Sequence, residues 1–183
     1  SDLPLLPLQI LFLNLINDVF PALALGVGDS EPGIMDRPPR SSDEPVLTRH
    51  CWFEIFGYGG LIRVPVFASF LIALHGLGME EERAITVSFL TLAFGRLWHI
   101  FNMRGKSTTI LDNEIVRNPW VWVALTFCAC LLVGSVYLPV ISDVLKVVHP
   151  GRQGWILIIA MSVVPYVAGQ LFHKIRYGGS RSA

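Results

Sequence analysis

The sequence predicts an all-α fold: a polytopic membrane helix bundle of five transmembrane helices, the first partly unwound between Asn17 and Pro21. Three observations carry this. Of 183 residues, 52% are hydrophobic and only 15% charged, where a soluble domain of this size carries roughly 25% charge. The apolar residues are gathered into long runs rather than spread along the chain. Five of these runs are long enough, at about 1.5 Å per residue, to cross a hydrocarbon layer about 30 Å thick.

The first run covers residues 8–27 and holds Asn14, Asn17 and Asp18 in its interior. Their i, i+3, i+4 spacing places three polar side chains on one helical face. An acid inside a membrane-length apolar segment is expensive and marks a functional site by default. Pro21 has no N–H for the carbonyl of Asn17, so the helix is expected to open there, leaving a bare carbonyl oxygen beside the Asp18 carboxylate. Carboxylate, amide and carbonyl oxygens are the donors a hard cation takes once stripped of water. Asn14, Asn17 and Asp18 are therefore metal-ligand candidates, half of a membrane ion site. The competing reading is a buried polar cluster that bonds neighbouring helices.

The second run, 53–77, contains Gly57, Gly59 and Gly60, small residues that let helices approach closely. Arg63 follows eleven residues into the run. Glu54, two and a half turns upstream, lies on roughly the opposite side, so Arg63 is expected in an interhelical ion pair or on a free carbonyl. The third run, 85–103, carries Arg96 and, at i+3 on the same face, His99, read as a hydrogen-bonded interior histidine. Arg96 has the same two expectations as Arg63, and a sharper one: a built-in counter-charge to Asp18. The fourth run, 120–141, holds Cys128 and Cys130, read as small core residues; with Cys51 the cysteines are odd in number and imply no disulfide framework. The fifth run is 155–172. Pro139, Pro150 and Pro165 read as helix ends and one kink, and Trp52, Trp120, Trp122 and Trp155 stand at run ends, where indole rings prefer to lie. His75, His99, His149 and His173 share no metal-ligand spacing.

Between the runs the chain is polar. The organisation expected is a first helix with the ligand motif (1–28), a cytosolic proline-rich linker (29–51), and four further helices with a short cytosolic tail (52–183). Arg37, Arg40, Arg49, Arg104, Lys106, Arg117, Lys174, Arg176 and Arg181 fall on one side of the membrane; Arg83, Lys146 and Arg152 fall on the other. Nine basic residues against three put the C-terminus in the cytosol and the N-terminus on the opposite face. Glu80, Glu81 and Glu82 then read as a solvated outer helix end. A net charge of zero without a basic cluster excludes a nucleic-acid partner, and the lipid bilayer is the partner the composition requires. There is no signal peptide, and a start at Ser1 rather than Met suits a processed, tagged or excised piece.

These residues also carry a family resemblance. PLQILFLNLIND (7–18) followed by PALALG (21–26) resembles the sixth transmembrane helix of P-type cation-transporting ATPases, and DRPPR (36–40) resembles the linker after it in the calcium-pump branch. The four later runs are similar to the seventh to tenth helices in number, length and order, 89–102 to the eighth. The resemblance implies that Asn14 and Asp18 fall on calcium-pump residues that ligate the transported ion, Asp18 on the acid shared between two sites. Asn17 stands where the sarcoplasmic reticulum pump has a threonine. Arg96 takes the place of a glutamate ligand, which implies loss of the first of two sites, because a guanidinium cannot coordinate a cation.

No cofactor is implied beyond a transported cation, Ca2+ or similar. The partners implied are the remaining domains of a P-type pump or a larger membrane complex. The 183 residues contain no DKTG and no TGE, so the chain has no nucleophile or phosphate cradle for phosphoryl transfer and is not catalytic by itself. The function expected is a C-terminal transport domain that supplies part of the ion site and cannot hydrolyse ATP alone. The alternative is a free-standing, non-catalytic membrane subunit derived from that domain, acting as scaffold or docking partner. An independent ion carrier ranks third, since five helices without an inverted repeat offer no alternating access.

Overall fold

A computed structural model describes residues 5–28, 47, 49–102 and 114–177. The DRPPR segment, Arg104, Lys106 and Arg181 lie outside the described residues, as do the side chains of Glu54, His173, Lys174 and Arg176. The elements in chain order are α1 (Pro7–Asn14), a π-helical turn (Leu15–Val19), α2 (Phe20–Gly26), α3 (Arg49–Leu71) closed by a second π turn (Ile72–Gly76), α4 (Glu81–His99), α5 (Glu114–Arg117), α6 (Pro119–Tyr137), α7 (Pro139–Leu145) and α8 (Gly151–Tyr177). Among the described residues there is no strand. Five helical stretches are long and apolar enough to cross a membrane: Pro7–Gly26, Cys51–Gly76, Glu81–Asn102, Pro119–Tyr137 and Gly151–Leu171.

Local chemistry explains the ends. Pro7 takes the first turn of α1, where its missing N–H costs nothing, and the Gln9 Oε1 accepts from the Leu6 N–H at 3.1 Å. Asn118 caps α6 by accepting the Trp120 N–H at 2.9 Å. The fourth helix stops at Tyr137 rather than running to 141, because Leu138 precedes Pro139 and is pushed to an extended ψ of 112°. Pro139 then starts the separate short helix α7.

The first helix departs from expectation in one respect. It does not unwind between Asn17 and Pro21; it stays helical and widens into a π turn over Leu15–Val19. Within this turn the carbonyl of Ile16 has no backbone donor. In π registration its donor would be residue 21, which is proline and has none. The Cys128 thiol takes that place, donating to the Ile16 oxygen at 3.4 Å. Cys128 is thus buried, as expected, but as a hydrogen-bond partner rather than filler; Cys130 is exposed on the outer face and is not a core residue.

The bundle is organised around α4. In its membrane window 72% of residues are buried, against 33% or less in the other four. Leu13, Ile16, Phe70, Val87, Phe89, Leu90, Leu132 and Ile158 meet in one core around it, and a second cluster of Ala24, Ile100, Ile115, Val121 and Ala124 closes one end. The reverse faces are apolar too: Leu11, Leu23, Phe53, Phe56, Val123, Val140 and Ile159 are all exposed, a surface suited to lipid rather than water.

In lipid there is no hydrophobic force between helices, so packing and interhelical hydrogen bonds specify the arrangement. Amide side chains supply most of them here. Three hold the first span along its length: Gln9 Nε2 donates to Leu145 O (3.1 Å), Asn17 Nδ2 to Ala93 O (3.2 Å), and Asn118 Nδ2 to Ala24 O (2.9 Å). Gln9→Leu keeps the volume but strands the Leu6 N–H and the Leu145 carbonyl. The expected cost is about 0.6–1.7 kcal/mol, seen as faster amide exchange in α7 with α4 and α8 unchanged.

Candidate functional site

The π turn changes how the three polar residues of the first span present themselves. Asn14 and Asp18 are exposed at the surface of this chain and converge on one group: Arg96 Nη1 lies 3.5 Å from Asn14 Oδ1 and 3.7 Å from Asp18 Oδ1. Asn17 points elsewhere, into the bundle. It is 8% exposed and bonds the Ala93 carbonyl of α4, one turn from Arg96. Its Oδ1 is buried and finds no hydrogen-bond partner among the described residues. A buried amide oxygen without a donor is costly, and it is oriented by the Nδ2 bond that fixes the other end of the same group.

The set is therefore divided. Asn14, Asp18 and Arg96 form one cluster, and Asn17 stands beside it with a free oxygen. The Arg96–Asp18 separation of 3.7 Å exceeds the roughly 2.7–2.9 Å of a direct charge-assisted hydrogen bond. Their side chains are 36% and 58% exposed, so neither charge is sealed in. Among the described residues no three His, Cys, Asp or Glu side chains gather in a cage, so Asp18 is the carboxylate this chain brings to the cluster.

A cleft of about 480 Å³ opens beside the cluster, between the first span and α3. Asn14, Gly59, Arg63, Phe67, Leu92 and Arg96 are on its walls. The ion pair or carbonyl bond expected for Arg63 does not form among the described residues. His99 matches its expectation: its Nδ1 is 3.2 Å from Asn102 Nδ2, and its ring meets that of Tyr58 at a tilted 57° with centroids 5.0 Å apart.

Sequence reasoning missed one polar joint behind the site. Asn102 Nδ2 donates to the Pro165 carbonyl at 3.3 Å, and Gln170 Nε2 donates to Asn102 Oδ1 at 2.8 Å. Gly169 makes room for it, since a Cβ there would stand 2.4 Å from Asn102 Nδ2. The signal was present as amides inside apolar runs, the same signal that singled out Asn14 and Asn17.

Comparison with known proteins identifies the family. The family model described as "Cation transporting ATPase, C-terminus" matches residues 2–175. A calcium-transporting ATPase of Bacillus subtilis is 32% identical over 94% of this chain, and calcium-transporting ATPase 1 of Lactococcus lactis is 29% identical over 94%. Sodium/potassium exporting P-type ATPase 1 of Saccharomyces cerevisiae is 26% identical over 97%. In each case the match spans 19% of the relative's own length. With five apolar helices of membrane-crossing length and a match over nearly its whole length, the chain is an integral membrane protein that belongs to the C-terminal domain family of P-type cation-transporting ATPases.

Proposed function

We propose that this chain forms part of the transport site of a P-type pump for a calcium-type cation. In this reading Asn14, Asn17 and Asp18 are oxygen donors and Arg96 is the resident counter-charge. The observation that carries it is the placement of Arg96 Nη1 between Asn14 Oδ1 and Asp18 Oδ1. A guanidinium there occupies the position a cation would take against the same two oxygens. With the ion gone, it keeps Asp18 from standing as an unpaired anion in a low-dielectric setting. The cation and Arg96 then compete, and the unpartnered Asn17 Oδ1 is the further donor within the same stretch of helix.

The remaining ligands, the phosphorylated aspartate and the nucleotide site come from other parts of a complete pump. That pump is the partner of this chain, with lipid on its outer faces. In this reading the linker 29–51 and the C-terminus lie in the cytosol and the N-terminus of the first span lies opposite, which the excess of basic residues in the linkers supports.

The same contact bears on a second reading, in which Arg96 and Asp18 have become a structural joint of a non-catalytic subunit. The length of the pair and its exposure favour a displaceable counter-charge over a joint. Arg96→Gln in the complete pump separates the two. Removing a competitor is expected to tighten apparent cation affinity by about fivefold or more, read from cation-activated ATP hydrolysis, with the amount of folded protein unchanged. A joint would instead lose folded protein and leave the affinity of the remainder as it was.

A further inference from the structure

Arg63 stands at the middle of the helix formed by α3 and its π turn, about 20 Å from either end at 1.5 Å per residue. That distance is beyond the reach of an arginine stem to a lipid headgroup. The side chain is exposed and has no carboxylate partner among the described residues. A guanidinium at this depth is expensive in hydrocarbon and is found paired or in a polar cavity.

Three further features lie near it. Gly59, one turn before Arg63, lines the cleft, and a Cβ built on it would meet nothing within 4 Å. Gly57 and Gly60 are equally open, so the close approach these glycines permit is not to any described helix. The cleft holds about 480 Å³ and is otherwise walled by apolar side chains such as Phe67 and Leu92. Around it are two guanidiniums, Arg63 and Arg96, and one carboxylate, Asp18. Among the described residues, the charge that is missing is one acid.

We propose that this cleft receives another membrane-spanning helix of the same pump polypeptide, and that this helix carries an Asp or Glu at mid-depth that pairs with Arg63. The inference rests on the reading of the chain as part of a larger pump. It differs from that reading in assigning Arg63 to assembly rather than to ion ligation. The pair would seat the incoming helix beside Asn14 and Asp18 and so set the distance between ligands on the two helices.

The test uses the complete pump in membranes. Arg63→Gln is expected to speed thermal inactivation by about fivefold or more. Neutralising each membrane-embedded Asp or Glu outside this chain in turn should reveal one whose effect matches that of Arg63→Gln. The double variant with that acid should be no worse than either single one, and exchanging the two charges should restore stability. A cysteine at Phe67 (Phe67→Cys) should form a disulfide with a cysteine one turn from that acid. The proposal is overturned if Arg63→Gln leaves inactivation unchanged, if no acid couples to it, or if Phe67→Cys cross-links only to a second copy. Loss of cation activation in Asp18→Asn reports on the transport reading separately, so either inference can fail alone.

Discussion

Asp18→Asn in the complete pump is expected to weaken cation activation of ATP hydrolysis by more than about 100-fold, the upper end of what even outer-sphere partners cost a metal site. Asparagine matches aspartate in size and keeps one oxygen, so the change isolates the charge. The fold should tolerate it. Asp18 is 58% exposed, makes no hydrogen bond among the described residues, and meets Arg96 only at 3.7 Å. The three amide clasps that hold the first span, from Gln9, Asn17 and Asn118, do not involve it. Full-length protein should therefore be recovered at wild-type levels while cation-dependent turnover disappears. The double variant Asp18→Asn/Arg96→Gln should stay inactive, because deleting the competitor does not restore the ligand. Recovery of activity in the double variant would mean that the unpaired Arg96, not the missing carboxylate, had stopped the pump.

The largest effect on stability is expected at a residue with no chemistry. Gly169→Ala places a Cβ 2.4 Å from Asn102 Nδ2 and 2.8 Å from its Cγ. Asn102 cannot simply swing away. It is 9% exposed, and its amide holds the Pro165 carbonyl, the His99 ring and the Gln170 side chain together. Relieving the clash separates α4 from α8, the two helices that share the most extensive packing in the bundle. Overpacking of this kind costs about 1–3 kcal/mol, and the lost interhelical bonds add about 0.6 kcal/mol each. A fall of about 5–10 °C in the melting temperature should follow, at the few degrees per kcal/mol usual for a chain of this size. Asn102→Ala alone should cost less, and adding it to Gly169→Ala should recover part of the loss. That non-additivity marks a shared contact rather than two independent defects. Additive losses would show that the glycine matters for another reason.

Much of this was legible in the sequence. Run length and composition gave the five helices to within a few residues, because a spanning segment must satisfy its backbone internally. Pro139 was read as a helix end and proved to be one; its consequence, a separate α7, depends on the residue before it. The polar cluster in the first span was visible because amides and an acid stand out in an apolar run. What they do with one another was not. The i, i+3, i+4 rule assumes 3.6 residues per turn, and the π turn at Leu15–Val19 alters that phase, turning Asn17 inward and leaving Asn14 and Asp18 to face Arg96. The π turn is completed by Cys128, 112 residues away in the chain, and no local pattern reports such a contact. Arg63 was expected to find a partner, and the described residues hold none. Pairings of this kind depend on helix rotation, which sequence periodicity fixes only loosely when a helix is apolar all round.

The most direct test is equilibrium binding of radiolabelled calcium to the complete pump without ATP, comparing wild type, Arg96→Gln and Asp18→Asn. Saturable binding to the wild type is expected, with tighter binding in Arg96→Gln and its loss in Asp18→Asn. Calcium bound by Asp18→Asn with wild-type affinity and stoichiometry would contradict the assignment of this cluster as a transport site.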